Sequence, residues 1–183
     1  MNFIKYIALL IVSPSEGWKD INKYTIPNNL LLSKLYYPVL AILSLSVFVP
    51  FLFGDGSVGL NGVILYALID FVKYFISFFA VSYFLTGIYS NVFKSKNEIN
   101  KLNNYVVFTL AILVLFNVLR NFMPGFPFFE IFPLYIIFVI YKGINYVAVP
   151  QAEHVKFIIL SSLFMLLIPV GIKFVLELLI PNF

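Results

Sequence analysis

Long apolar runs separated by short polar clusters fill this chain, and the length of each run sets the first reading. The longest, Leu60 to Val92, stays apolar for far more residues than a core helix of a water-soluble domain needs. A helix rises about 1.5 Å per residue and the hydrocarbon slab is about 30 Å thick, so about 20 apolar residues suffice to cross it. Four further runs follow the same logic: Leu30 to Phe53, Tyr105 to Val118, the stretch from the Met123–Pro133 turn to Val149, and Phe157 to Ile180. Between them lie a glycine-rich turn (Gly54 to Gly62), a basic segment read as a solvated loop (Lys94 to Asn104), a proline-broken turn (Met123 to Pro133) and a polar loop (Pro150 to Lys156). The pattern predicts an all-α, polytopic membrane protein with five transmembrane helices. It is one domain, with residues 1–29 at the interface and residues 30–183 forming the bundle. Pro38 and Pro50 fall towards the ends of the first span, and Pro169 and Gly171 bend the last.

Ahead of the first span, Met1 to Val12 is apolar but too short to cross. It carries only Lys5 as a basic flank and has no small-residue cleavage site, so it reads as a retained interfacial helix. Ser13, Pro14 and Glu16 form a helix-start signature, with Ser13 as N-cap, Pro14 at the first helical position and Glu16 closing a capping box. The short helix that follows sets Trp18 and Ile21 among Lys19, Asp20 and Lys23. This predicts an amphipathic segment at the membrane surface with an aromatic anchor.

Composition narrows the chemistry. The chain is 62% hydrophobic and 11% charged, with no cysteine and one histidine, which removes thiolate metal sites, cysteine nucleophiles and disulfide frameworks. Paired catalytic carboxylates, an HExxH motif and a Ser/Lys arrangement are missing, so the expectation is no enzyme, no catalytic residue, no metal and no cofactor. The glycine-rich turn follows a span and lacks the Lys-Ser/Thr ending of a phosphate loop. The net charge of +4 is scattered along the chain and makes no nucleic-acid module. It speaks to topology instead. Nine lysines (Lys5, Lys19, Lys23, Lys34, Lys94, Lys96, Lys101, Lys142 and Lys156) fall on one side of the predicted membrane, and Arg120 falls on the other. This bias predicts a cytoplasmic N-terminus and a C-terminus outside. The excess of Lys over Arg and the abundance of Asn, Ile and Phe fit an AT-rich bacterial genome, hence a bacterial cytoplasmic membrane.

Charges inside the spans are the candidate chemistry. Asp70 and Lys73 stand within the second run, and Lys173 and Glu177 within the fifth. Fifteen Leu, Ile, Val and Phe residues between Val63 and Ile88 supply about 5 to 9 kcal/mol of favourable transfer, against about 5 to 7 kcal/mol for two centred charges. The second span therefore inserts with little margin unless its charges find partners. Asp70 and Lys173 fall at similar depth on antiparallel spans, which predicts that they face each other. The cluster is then a structural ion pair with Lys173 and Glu177 snorkelling to the interface, the wall of a solute or proton path, or a chance placement. Arg120 and Glu130 flank the same turn and are expected to clip it; His154 reads as a solvated loop residue. Ser77, Ser82, Gly87, Ser161 and Ser162 permit close helix approach.

Two stretches together resemble the Yip domain family, the Ypt/Rab-interacting membrane proteins, in its bacterial form. SPSEGWKDI (Ser13 to Ile21) is similar to the family's proline, aromatic, apolar pattern before the first span, here Pro14, Trp18 and Ile21. YKGINYVAVPQAEHVKF (Tyr141 to Phe157) is similar to its segment between the last two spans, at Tyr141, Gly143, Ile144, Pro150 and Lys156. The resemblance implies five spans and an integral membrane protein without catalytic activity. It also implies a homo-oligomer or a membrane-protein partner, with these residues as candidate partner or membrane-surface contacts. A long soluble segment ahead of the first span is not seen, so the trafficking role of the eukaryotic relatives is not carried over. The expected function is an oligomeric scaffold or accessory subunit in membrane organisation or transport. The alternative is a small channel or carrier for lipid, ion or solute, using Asp70, Lys73, Lys173 and Glu177.

Overall fold

A computed structural model describes residues 3–53, 59–126 and 128–179. Two short helices, α1 (Phe3–Val12) and α2 (Pro14–Ile21), precede five long ones. These are α3 (Asn28–Phe53), α4 (Leu60–Ile88), α5 (Lys96–Phe122), α6 (Phe128–Val147) and α7 (Gln151–Leu179), each long and apolar enough to cross a membrane. Consecutive long helices run in opposite directions. One end of the bundle, the near end, holds α2, residues 89–95 and the α6–α7 corner; the far end holds the start of α4 and the α5–α6 turn.

The most apolar stretch of α5 is 78% buried, whereas the corresponding stretches of the other four are between 28% and 39% buried. That difference makes α5 the axis of the molecule. Around it α3 packs on α4, α4 on α7, α7 on α6, α6 on α2, and α1 returns to α3, so the N-terminal pair closes the ring. Outward faces carry Leu45, Tyr83, Phe84, Leu167 and Phe174 in exposed positions, as a lipid-facing surface requires. The seam between α4 and α7 is extensive, and Ser77 and Ser82 of α4 and Ser161 and Ser162 of α7 are all buried. Gly87 lies outside that seam, with open space around it.

Three segment readings change. Residues 3–29 are more than two separate surface helices: α1 and α2 form a helical hairpin whose tip enters the bundle. At its mouth Lys5 Nζ lies 3.6 Å and Lys23 Nζ 2.8 Å from Asp20 carboxylate oxygens. These cations hold the Asp20 carboxyl below the usual aspartate range, the Lys23 hydrogen bond contributing most. The clamp is therefore present above the ordinary aspartate pKa and is lost only as pH falls through the lowered one. Near the tip the Tyr135 hydroxyl donates to the Ile11 carbonyl at 2.7 Å. Tyr135 is about 18 Å along α6 from Val147, so the hairpin reaches well below the near end. Ser13 does occupy the N-cap of α2, but its side chain caps nothing.

The second change concerns the basic segment expected to be a loop, which is the first two turns of α5. Ser95 accepts from the Glu98 amide while the Glu98 carboxylate receives the Ser95 amide, a complete capping box. Asn100 and Asn104 then clasp the entry to α3, both donating to the Ile26 carbonyl at 2.8 and 2.7 Å. Third, the polar stretch after Pro150 is already the first turn of α7. The glycine-rich turn is described only from Gly59, the N-cap of α4; residues 54–58, like Ile180, lie outside the described residues. Within α3, the turn Leu32–Tyr36 is wide, with the Tyr37 amide reaching the Leu32 carbonyl. Pro38, which has no amide to donate to Lys34, sits directly after this widened turn.

Two glycines let the hairpin seat. A Cβ on Gly17 would meet the Leu10 amide nitrogen at 2.9 Å, so α1 and α2 touch backbone to backbone there. A Cβ on Gly143 would lie 2.8 Å from the Trp18 ring and 2.6 Å from that of Tyr105. Trp18 fills the notch. It is 2% exposed, stacks on Tyr146 at 5.1 Å between centroids, and donates Nε1–H to the Val139 carbonyl at 2.9 Å. Trp18→Phe should lose that bond at about 0.5–1.5 kcal/mol, while Trp18→Ala should cost about 3–5 kcal/mol. Gly143→Ala should eject the ring at about 1–3 kcal/mol. Detergent-denaturation midpoints measure all three, with emission of the single tryptophan reporting the ejection.

Candidate functional site

Clefts at both ends of the bundle gather the polar side chains. At the near end a cleft of about 580 Å³ opens between α2, α6 and the start of α7. Lys19 and Asn22 line it from α2, Tyr141, Lys142 and Asn145 from α6, and His154 from α7. Lys142 Nζ stands over the rings of Tyr141 and Phe138 at 5.0 and 5.4 Å, which holds its ammonium at the rim. His154 Nε2 lies 2.8 Å from the Val149 carbonyl, tying the cleft floor to the α6–α7 corner. The corner itself forms because Ala148 takes a left-handed conformation (φ 59°) and Pro150 stops α6 from continuing.

The two stretches singled out in the sequence meet at this cleft, though not as a row of surface contacts. Pro14, Trp18, Ile21, Gly143 and Ile144 are all buried within the chain. Tyr141, Pro150 and Lys156 are exposed, and Lys156 Nζ lies 3.8 Å from Glu153. Trp18 is thus a wedge in the bundle and not an anchor on its surface. The reason is steric, since only a residue without a side chain at position 143 leaves room for an indole at the helix axis.

At the far end Asp70 and Lys173 do not pair. Asp70 Oδ1 takes Lys73 Nζ of its own helix, and Lys173 reaches Glu177 at 3.5 Å on α7. A lysine three positions away on the same face reaches the carboxylate without bridging two helices. The two pairs differ in surroundings: side chains are 14% and 7% exposed in Asp70–Lys73, against 43% and 44% in Glu177–Lys173. Lys73 and Lys173 nevertheless line one cleft of about 280 Å³, together with Arg120 and Asn117 of α5. Arg120 and Glu130 line an adjoining cleft of about 250 Å³, and no ion pair joins them among the described residues. The expected clip is absent.

Asn117 is a cleft-lining polar side chain that the sequence reading passed over. Its Nδ2 donates to the Tyr74 hydroxyl at 2.6 Å and to the Leu113 carbonyl at 3.0 Å, while the Tyr36 hydroxyl donates to the Tyr74 carbonyl at 2.7 Å. An asparagine within an apolar run was signal enough, since lipid offers such a group no partner. The fold is thus a five-helix bundle of membrane-spanning dimensions with a polar cleft at each end. Compared with known proteins, the chain matches no family profile, no curated protein and no solved structure.

Asp70→Asn leaves the Lys73 ammonium buried and unpaired, which should cost about 3–5 kcal/mol. Glu177→Gln breaks an exposed pair and should cost less than about 1 kcal/mol. Asp70→Asn combined with Lys73→Met should recover most of the first loss. Unfolding titrations of the purified protein in mixed micelles check all three.

Proposed function

We propose that this chain is a non-enzymatic integral membrane protein resembling the bacterial Yip domain proteins, acting as a scaffold or accessory subunit in membrane organisation or transport. The observation that carries this reading is the convergence of Ser13–Ile21 and Tyr141–Phe157 around the near-end cleft, with their buried members holding the cleft walls in place. Such a cleft, rimmed by Lys19 and Lys142, suits an acidic segment of a second membrane protein. The lysine bias supports a cytoplasmic near end, with the N-terminus inside, the C-terminus outside and the bacterial cytoplasmic membrane as the location.

A carrier would use the far-end charges. Between the two clefts, however, α5 buries Phe108, Leu110 and Ile112 completely, and a dry packed layer at mid-height favours a scaffold over a conduit. The test is extraction of the full chain from native membranes in a lipid-retaining polymer, comparing wild type with a Lys19→Glu/Lys142→Glu variant. A stoichiometric partner whose recovery falls about tenfold in the variant, with insertion unchanged, supports the reading. A partner that ignores both reversals, or no partner together with ion flux in liposomes, contradicts it.

A further inference from the structure

Three cationic side chains from three helices converge on the far-end cleft: Lys73 of α4, Arg120 of α5 and Lys173 of α7. No carboxylate of the described residues lines this cleft. Asp70 is engaged by Lys73, Glu177 pairs with Lys173 on the exposed side of α7, and Glu130 lines only the adjoining cleft. The Arg120 guanidinium has no ion pair or hydrogen bond with any of the described residues, although a carboxylate shares its other cleft. A guanidinium offers a planar fork of donors matched to phosphate oxygens, and lysine ammoniums add point charge to the same group.

The remaining wall is apolar. Met165, Leu166, Pro169 and Val170 of α7 line it, and Val170 is 63% exposed on the outer face, so the cleft leads from cationic heads to the lipid-facing surface. Its volume of about 280 Å³ equals about nine waters, enough for a glycerol phosphate. A group that is anionic at one end and hydrocarbon at the other matches both walls.

We propose that this cleft binds the phosphate of an anionic phospholipid between Arg120 and Lys173, with the glycerol and the first part of an acyl chain against α7. The site stands apart from the near-end docking reading and is tested without it. Arg120 is exposed and unbonded, so its replacement does not threaten the fold, whereas Lys73 is buried and is left intact.

The full chain is reconstituted in nanodiscs of equal phosphatidylcholine and phosphatidylglycerol, and the lipid retained on the released protein is counted by native mass spectrometry. Wild type should retain phosphatidylglycerol over phosphatidylcholine by about tenfold. Arg120→Gln and Lys173→Gln should each bring the ratio towards one, Arg120→Lys should keep part of it, and Lys96→Gln at the near end should leave it unchanged. Adding glycerol phosphate separates the sources: undiminished retention marks a lipid-borne phosphate, whereas displacement at equal occupancy marks a soluble phosphate ester and overturns the lipid assignment. Equal retention of the two lipids by wild type, an unchanged ratio in both Arg120→Gln and Lys173→Gln, or an equal loss in Lys96→Gln overturns the site.

Discussion

A large ring can reach the axis of a helix only where that helix carries no side chain, and in this chain Gly143 supplies the gap that Trp18 fills. The rest of the near half depends on that contact. With the indole seated, α2 lies along α6, α1 folds back against α3, and the ring around α5 closes. Without it, the Tyr105, Phe108 and Tyr146 rings that face Trp18 at 5.3, 6.1 and 5.1 Å would lose their cover, and α5 would open on one side. Lipid gives helices no hydrophobic drive to associate, so close packing and hydrogen bonds must supply it. The Trp18 wedge provides both at one residue.

The second constraint is that the bilayer core offers no water to an unpartnered polar group. Three asparagine amides of α5 answer it: Asn104 Nδ2 donates to the Ile26 carbonyl, Asn117 to Tyr74 and Asn121 to the Ser46 hydroxyl at 2.9 Å. Each bond runs from the axial helix to another part of the ring, so the same groups that would be costly in lipid fix the rotation of α5. Asp70 and Lys73 follow the rule within one helix. Their pairing gives each charge a partner on the same helix, while Lys73, Arg120 and Lys173 line the far cleft together.

Much of this architecture was legible in the sequence, because hydropathy over a span length is a strong signal: each of the five apolar runs forms a helix long and apolar enough to cross a membrane, and α4 begins at the expected Leu60. The errors have physical causes. Lys94 to Asn104 is polar enough to read as a loop, yet Ser95 and Glu98 stand at capping-box spacing and its asparagines bond inward. The N-terminal helices are too short to span, which suggested an interface position; a hairpin can enter the bundle because Asp20 and its two lysines close its mouth and Gly17 lets its helices touch. Trp18 and Gly143 were both marked, but a linear chain does not show that one residue is the socket of the other. Depth counting brought Asp70 opposite Lys173 and missed that Lys73 is nearer.

The most direct measurement is quenching of the single tryptophan in the full chain reconstituted in liposomes, using acrylamide from the water and bromine-labelled lipids from the bilayer. A wedge in the Gly143 notch predicts emission resistant to both quenchers, and a shift to strong quenching in Gly143→Leu. An indole standing at the membrane surface would instead be quenched in the wild-type protein by acrylamide and by lipids labelled near the headgroup, and that result would contradict the closed ring on which this account rests.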